Sequence, residues 1–411
     1  MMEEAFIYEG FSSLAIHAGH QKGSNNAHVT PVYATSSYVF DNAEQGMKIF
    51  SGEEKGYMYS RFGNPVFTEA EEKIAMMEGF QIGDGGANLA LKAILHSSGM
   101  AAISTLLLMN LQKGDTVLTH NSLYGGTDEL LQILLPLFGV TSIMADLNDL
   151  EAVHNILKTD PSIKMIYVET PSNPTLRCVD LQALSTLAKQ HNILIACDNT
   201  VASPYLQQPF KYGVDFVIHS TTKFLNGHGN AIGGILIGRD ISLMETKGRK
   251  TNSLLGSNSN PFDAFLLING LKTLELRMKQ HCSNATAVSN FLDKHPSIAR
   301  VHYNGLPSHP DYELSQKQMH HPGAILSFEL KNGLKAGIKF IDKLKMCTRA
   351  VSLGTCDTLI SHPASMSHAG VPAEMRKKYG ITDGLIRISV GIENPEDIIN
   401  DLGQALINNE R

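Results

Sequence analysis

Short apolar runs alternate with helical patterns through the middle of this chain, and that alternation limits the fold more than any other feature. Strand candidates are Asp115–Thr119, Lys164–Glu169, Ile193–Asp198, Asp215–Ser220 and Gly234–Gly238. Residues 99–112, 127–138 and 180–191 carry helical signals between them. Strands joined through helices pair in parallel, and a sheet covered on both faces is made of nearly continuous apolar runs. The expected fold is therefore α/β around a mostly parallel central sheet. Ligands on such sheets gather beyond the carboxyl ends of the strands. Lys223, Asp198 and the loop Glu169-Thr-Pro-Ser-Asn173 all lie at such ends.

The flanking regions read differently. Residues 1–60 are rich in turn formers, among them Gly19, Gly23, Asn25, Asn26 and Pro31, and few regular elements are expected there. So long an irregular segment is usually functional or docked on a partner. Residues 66–79 have helical spacing and end in glycine. Beyond residue 256 a long helix is expected over 262–293, with room for one break. Shorter segments follow at 324–329, 333–345, 349–353, 385–390 and 395–408. A chain of 411 residues exceeds one ordinary core. The expected division is an arm (1–60), an α/β domain (61–256) and a smaller α+β domain (257–411).

Composition narrows the partners. With 18% charged residues and a net charge of −6, the chain lacks the basic balance of a nucleic-acid or anionic-membrane binder. Its longest apolar run, residues 99–109, is too short to span a bilayer. The N-terminal Met-Met-Glu-Glu lacks the order of a signal peptide. Five cysteines form no CxxC pair, which points to no disulfide framework and to a cytosolic location. Histidines 228, 320, 321, 362 and 368 show no metal-ligand spacing, so no zinc site is expected.

Lys223 follows the strand candidate 215–220 through Ser220-Thr-Thr222 and precedes Phe-Leu-Asn-Gly-His-Gly. Most lysines are solvated surface groups. A lysine held in a dry pocket instead loses its proton easily and becomes a nucleophilic amine. Asp198 ends the neighbouring strand candidate. Lysine, aspartate and two hydroxyls at strand ends match what pyridoxal 5′-phosphate requires. The lysine forms a Schiff base, the aspartate keeps the pyridine nitrogen protonated and the hydroxyls hold the phosphate.

Other residues join this set. Ser98-Gly99-Met100 opens an apolar-striped helix, as an ordinary N-cap or as a phosphate cradle built from the amides of Gly99 and Met100. Tyr124, in Asn-Ser-Leu-Tyr-Gly-Gly, is either a core aromatic or a ring that stacks on the pyridine with its hydroxyl as acid or base. Arg61, in Tyr59-Ser-Arg-Phe-Gly-Asn-Pro65, is a solvated arginine or a phosphate fork. Arg387 sits inside Leu385–Val390, where a charge needs a partner, either a salt bridge or a substrate carboxylate.

These segments together resemble the PLP enzymes of cysteine and methionine metabolism, from Phe11-Ser-Ser-Leu-Ala-Ile-His17 to Ile388-Ser-Val-Gly-Ile-Glu393. Asp198-Asn-Thr200, Ser220-Thr-Thr-Lys223 and His362-Pro-Ala-Ser-Met-Ser-His368 are among the most specific pieces. The resemblance implies a fold-type-I PLP domain (the aminotransferase-like fold) and a homotetramer of catalytic dimers. It implies that Tyr59 and Arg61 bind the phosphate of a neighbouring subunit's cofactor. Gly99, Met100, Ser220 and Thr222 would bind phosphate within the subunit. Tyr124 would stack, Asp198 would hold the ring nitrogen and Lys223 would anchor the cofactor. Asn173, Ser352 and Arg387 would hold a substrate carboxylate.

The tracts 351–368 and 379–387 are most similar to the members that cleave methionine. The implied reaction is γ-elimination from methionine or homocysteine to 2-oxobutanoate, ammonia and a thiol. The rival is cystathionine or O-acyl-homoserine chemistry, and a non-catalytic protein on this fold is a third possibility. The chain departs from the family pattern in two places. It is longer between Gly79 and Ser98, by about ten residues against ordinary connection lengths. Gly126 stands where methionine-cleaving members often have Cys. Asp357 stands where cystathionine-cleaving members tend to have Glu, which makes it a candidate specificity residue.

Overall fold

The apolar runs of the middle region form strands of one sheet. The computed structural model describes residues 6–20, 26–367, 369–370, 374, 376 and 380–407. Met1–Glu4, Gly23, Asn25, His368 and Tyr379 lie outside the described residues. The first sheet contains β1 (Lys92–His96), β2 (Thr116–Thr119), β3 (Thr141–Met144), β4 (Ile163–Glu169), β5 (Leu194–Asp198), β6 (Phe216–His219) and β7 (Gly234–Gly238). Its order is β1-β7-β6-β5-β4-β2-β3. All neighbours are parallel except those of β7, which runs against both β1 and β6.

Both faces of this sheet are covered. On one face Ile166, Val168, Ile195, Cys197 and Val217 join the larger core. On the other, Met165, Tyr167, Ala196, Phe216 and Ile218 pack with Ala102, Ile103 and Leu106 of the helix Gly99–Asn110. The alternation is the two-residue period of a strand, with apolar residues at both phases. Each fully buried aliphatic side chain contributes about 1.5–3 kcal/mol. Helix starts are capped by their own side chains: Ser98 accepts from the Ala101 amide at 3.1 Å, and Asp180 from Ala183 at 2.9 Å.

A second sheet lies toward the C-terminus. It contains β8 (Ile298–His302), β9 (Ile325–Leu330), β10 (Thr348–Arg349), β11 (Leu359–Ser361) and β12 (Leu385–Ser389), in the order β10-β11-β12-β9-β8. The expected helix over 262–293 is two, Pro261–Leu271 and Leu274–Asp293. Only Thr348–Arg349 of the segment around 349–353 is strand, and Ser352 has a φ of 93°. The N-terminal region is more regular than its turn formers suggested, with helices at Phe11–His17 and Ala43–Ser51. Among the described residues no helix is long and apolar enough to cross a membrane.

The segment between Gly79 and Ser98 is a closed loop followed by β1. The Leu89 amide donates to Gly79 O at 2.7 Å, and Gly83 to Ala87 O at 2.7 Å. Phe80 packs on Phe11 with ring centroids 5.9 Å apart.

The turn that bears Lys223 is held from below by Arg277, which is 4% exposed. Its guanidinium donates to Phe224 O at 2.7 Å, Leu225 O at 3.3 Å and Gly270 O at 2.7 Å. Gly227 crosses this guanidinium with a φ of +76°, and a methyl group there would lie 2.1 Å from Arg277 Nη1. The Gly227→Ala variant is therefore expected to lose about 2–3 kcal/mol of stability. Urea unfolding measures this, and an unchanged midpoint would contradict the clamp.

Candidate active site

Strand parity places the floor of the cleft. Tyr167 on β4 and Ala196 on β5 face the helix Gly99–Asn110. Two residues further along each strand come Glu169 and Asp198, which project to the same face. Beyond β6, Ser220 meets the start of that helix: a methyl group on Gly99 would lie 3.0 Å from Ser220 Cβ.

Asp198 lies at the centre of this floor. Its Oδ1 accepts the Thr200 amide at 2.9 Å, and the Tyr167 hydroxyl is 3.5 Å from Oδ2. No lysine or arginine among the described residues pairs with it. Burial pushes its carboxyl above the ordinary range, opposed by the hydrogen bonds from Thr200. A cationic ring nitrogen would reverse that shift.

The helix Gly99–Asn110 directs its N-terminal amides toward Ser220. The Ser220 amide is tied to Thr200 Oγ1 at 2.8 Å. Thr222 is more committed. Its hydroxyl donates to Gly233 O at 3.2 Å and accepts the Gly233 amide at 3.0 Å. A phosphate oxygen at Thr222 therefore competes with Gly233 for the hydroxyl proton. Met100 contributes an amide here, and its sulfur also lies near Gly126.

Lys223 reaches across to the second sheet. Its Nζ donates to Ser352 Oγ at 2.8 Å. Burial, and secondarily the charge of Arg387, lower its pKa to about 8. Arg387, on β12, is 8% exposed and donates through Nη2 to Ser352 O. Its Nε is buried without a partner, and no carboxylate among the described residues pairs with it. Burial lowers its pKa to about 10. Asn173 approaches from the first sheet. Ser327, the β9 register partner of Arg387, donates to Pro174 O at 2.7 Å. Asn173 Oδ1 is buried and unpartnered.

Tyr124 is 56% exposed, so it is no core aromatic. Its amide donates to Glu169 Oε2 at 2.7 Å. Gly126 lies against its ring, where a methyl group would be 2.8 Å from Tyr124 Cε1 and 3.1 Å from Met100 Sδ. Any side chain at residue 126, cysteine included, would displace one of them. An open cleft of about 800 Å³ adjoins Ser352 and Thr222 and is also lined by His228, Ile232 and Asp357.

Tyr59 and Arg61 make their contacts elsewhere on the surface. Arg61 donates to Ser253 O at 3.0 Å and Ser253 Oγ at 3.1 Å, and it stacks on Phe62 at 4.6 Å. Tyr59 is 42% exposed. Sequence reasoning passed over Tyr167, Thr200 and the role of Glu169. The phase of the alternation along β4 and β5 is the signal that locates Tyr167 and Glu169. Among the described residues no cluster of His, Cys, Asp or Glu could hold a metal ion.

These residues fit pyridoxal phosphate. The unmatched carboxyl of Asp198 suits its ring nitrogen, the helix start with Ser220 suits its phosphate, and the lowered pKa of Lys223 suits its aldehyde.

The chain matches the family described as Cys/Met metabolism PLP-dependent enzyme over residues 12–407. It is 46% identical to an L-methionine gamma-lyase of Fusobacterium nucleatum subsp. nucleatum, covering 97% of this chain and 98% of that protein. It is 43% identical to an L-methionine gamma-lyase of Porphyromonas gingivalis, covering 99% of each. Among solved structures, a cystathionine gamma synthase from Xanthomonas oryzae pv. oryzae superimposes with a TM-score of 0.90 at 37% identity, covering 98% of this chain and 99% of that one.

Only the free amine of Lys223 attacks an aldehyde, so in cofactor-free protein the rate of cofactor uptake should rise with pH around a midpoint near 8. The Arg387→Met variant removes a positive neighbour, which favours the ammonium form and shifts the midpoint to higher pH. Stopped-flow absorbance measures both, and a midpoint that fails to move upward would remove Arg387 as a cause.

Proposed function

The chain belongs to the Cys/Met metabolism PLP-dependent enzymes, and we propose that within this family it is a carbon–sulfur lyase acting on L-methionine or homocysteine. The products are 2-oxobutanoate, ammonia and a thiol, with one water consumed. The observation that carries an amino-acid substrate is the Nε of Arg387, a donor buried without a partner that a carboxylate would satisfy. The choice of methionine rests on the lyase relatives named above.

Pyridoxal phosphate, when bound, supplies an electron sink for the charge that develops at the substrate Cα. Gly99, Met100 and Ser220, with Thr222, would hold its phosphate, Asp198 its ring nitrogen, and Tyr124 would cover its ring. Arg387 and Asn173 receive the substrate carboxylate. Lys223 Nζ, held by Ser352 Oγ, removes the Cα proton. The exposed Tyr124 hydroxyl gives a proton to the departing sulfur.

A second reading, γ-replacement as in a cystathionine gamma-synthase or an O-acetylhomoserine sulfhydrylase, is favoured by the likeness to the solved synthase. It shares every residue above and differs in whether a thiol or water completes the reaction. Cystathionine γ-cleavage, with Asp357 in the cleft as the specificity residue, is a further variant of the lead reading.

The exposed Tyr59 and Arg61 support an assembly in which the arm (1–60) and the start of the α/β domain (61–256) reach a neighbouring subunit's phosphate. That assembly is a homotetramer of catalytic dimers, with residues 257–411 completing each cleft through Arg387. The five free cysteines fit a cytosolic location.

Purified protein incubated with methionine should release 2-oxobutanoate, scored against homocysteine, cystathionine and O-acetylhomoserine plus sulfide. No keto acid from methionine would sink the lead reading. Inactive Arg61→Ala and inactive Lys223→Ala subunits, when mixed, should recover roughly a quarter of wild-type activity, since half of randomly formed dimers are hybrids with one intact site. No recovery despite verified subunit exchange would count against shared sites.

A further inference from the structure

Glu169 is the buried acid of the cleft that the mechanism above leaves unused. It is 7% exposed and is the register partner of Asp198 across β4 and β5. Its Oε2 accepts the Tyr124 amide at 2.7 Å. Its Oε1 is buried without an aligned partner, as is Thr127 Oγ1. The Glu169 amide donates to His120 Nε2 at 2.9 Å, which fixes that nitrogen as an acceptor and the imidazole as neutral.

The groups that face this pair come from every adjacent element. His120 follows β2, Tyr167 lies on β4 and Asp198 on β5, while Cys197 on β5 and His219 on β6 project to the opposite face of the sheet. Tyr124 and Thr127 come from the helix Gly125–Glu129 and its cap. His219 is already bonded to Glu78 Oε1 at 2.6 Å. None of these groups is a lysine or arginine. Two carboxyls side by side without a cation cannot both ionise cheaply. Burial and the neighbouring Asp198 push Glu169 up to about 8.

We propose that Glu169 is a positioning residue that works as a neutral acid, holding the Tyr124 backbone in place while Asp198 alone carries the negative charge beneath the cofactor ring. The proposal rests on the cofactor site at Asp198 and Lys223. It also accounts for the exposure of Tyr124. A ring with few contacts of its own is placed through its backbone, and the anchor is the acid beside the ring-nitrogen partner.

Glutamine matches a neutral glutamic acid in shape and keeps the acceptor for the Tyr124 amide. Among holoenzymes, Glu169→Ala should lose kcat on the order of 100-fold, as expected for a misplaced catalytic group, while keeping the cofactor's visible absorbance. Glu169→Gln should recover at least about tenfold of that loss. Infrared difference spectra of wild type minus Glu169→Gln at neutral pH should show a protonated carboxyl, a signal that needs no active alanine variant. A glutamine variant as impaired as the alanine one, or a carboxylate signal alone, would overturn the neutral-acid role. Full activity in the alanine variant would overturn the positioning role. Wild-type protein without any cofactor absorbance would instead overturn the site reading itself.

Discussion

Two charges of opposite sign stand on the two sheets, and no ion pair among the described residues neutralises either. Asp198 ends a strand of the first sheet and Arg387 lies within a strand of the second. Leaving a buried charge without its partner costs about 3–5 kcal/mol. The fold bears that cost because both groups sit on strands whose neighbours are fully packed. A ligand that brings a cationic ring nitrogen to one side and a carboxylate to the other would relieve both. An amino acid joined to a pyridine cofactor has that pattern of charge, and few other metabolites do.

The rest of the site is arranged around this opposition. Lys223 bonds Ser352, whose carbonyl also receives Arg387. Ser352 adopts a left-handed φ of 93°, which costs a non-glycine residue about 1–3 kcal/mol. That conformation turns the hydroxyl to the lysine and the carbonyl to the arginine at once. Beneath the lysine, Arg277 ties three carbonyls together, so the turn cannot relax away from the cleft. The low pKa of Lys223 follows from this placement, first through burial and then through Arg387.

Much of this was legible in the sequence, and what was not has physical reasons. The runs that became β4, β5 and β6 are apolar at both phases, so they read as buried strands and their ends located Asp198 and Lys223. The edge strand β3 is half-exposed Thr-Ser-Ile-Met, and its composition resembles a loop. Strand β11 is three residues long, too short for any period. The antiparallel course of β7 depends on pairing partners that local composition does not encode. The helix Leu150–Thr159 did carry a signal, with Asp149 as its cap and Val153 and Leu157 on one face. Among site residues, the resemblance named Ser352 but not its strained backbone. Glu169 was visible only as part of a loop, because its role comes from register with Asp198.

The central claim is that Lys223, bonded to the Ser352 that also receives Arg387, anchors the cofactor. Borohydride reduction of the purified protein followed by peptide mass spectrometry tests it directly. The predicted result is a single phosphopyridoxyl adduct on the peptide that carries Lys223. An adduct on another lysine, or none in protein loaded with pyridoxal phosphate, would contradict the account.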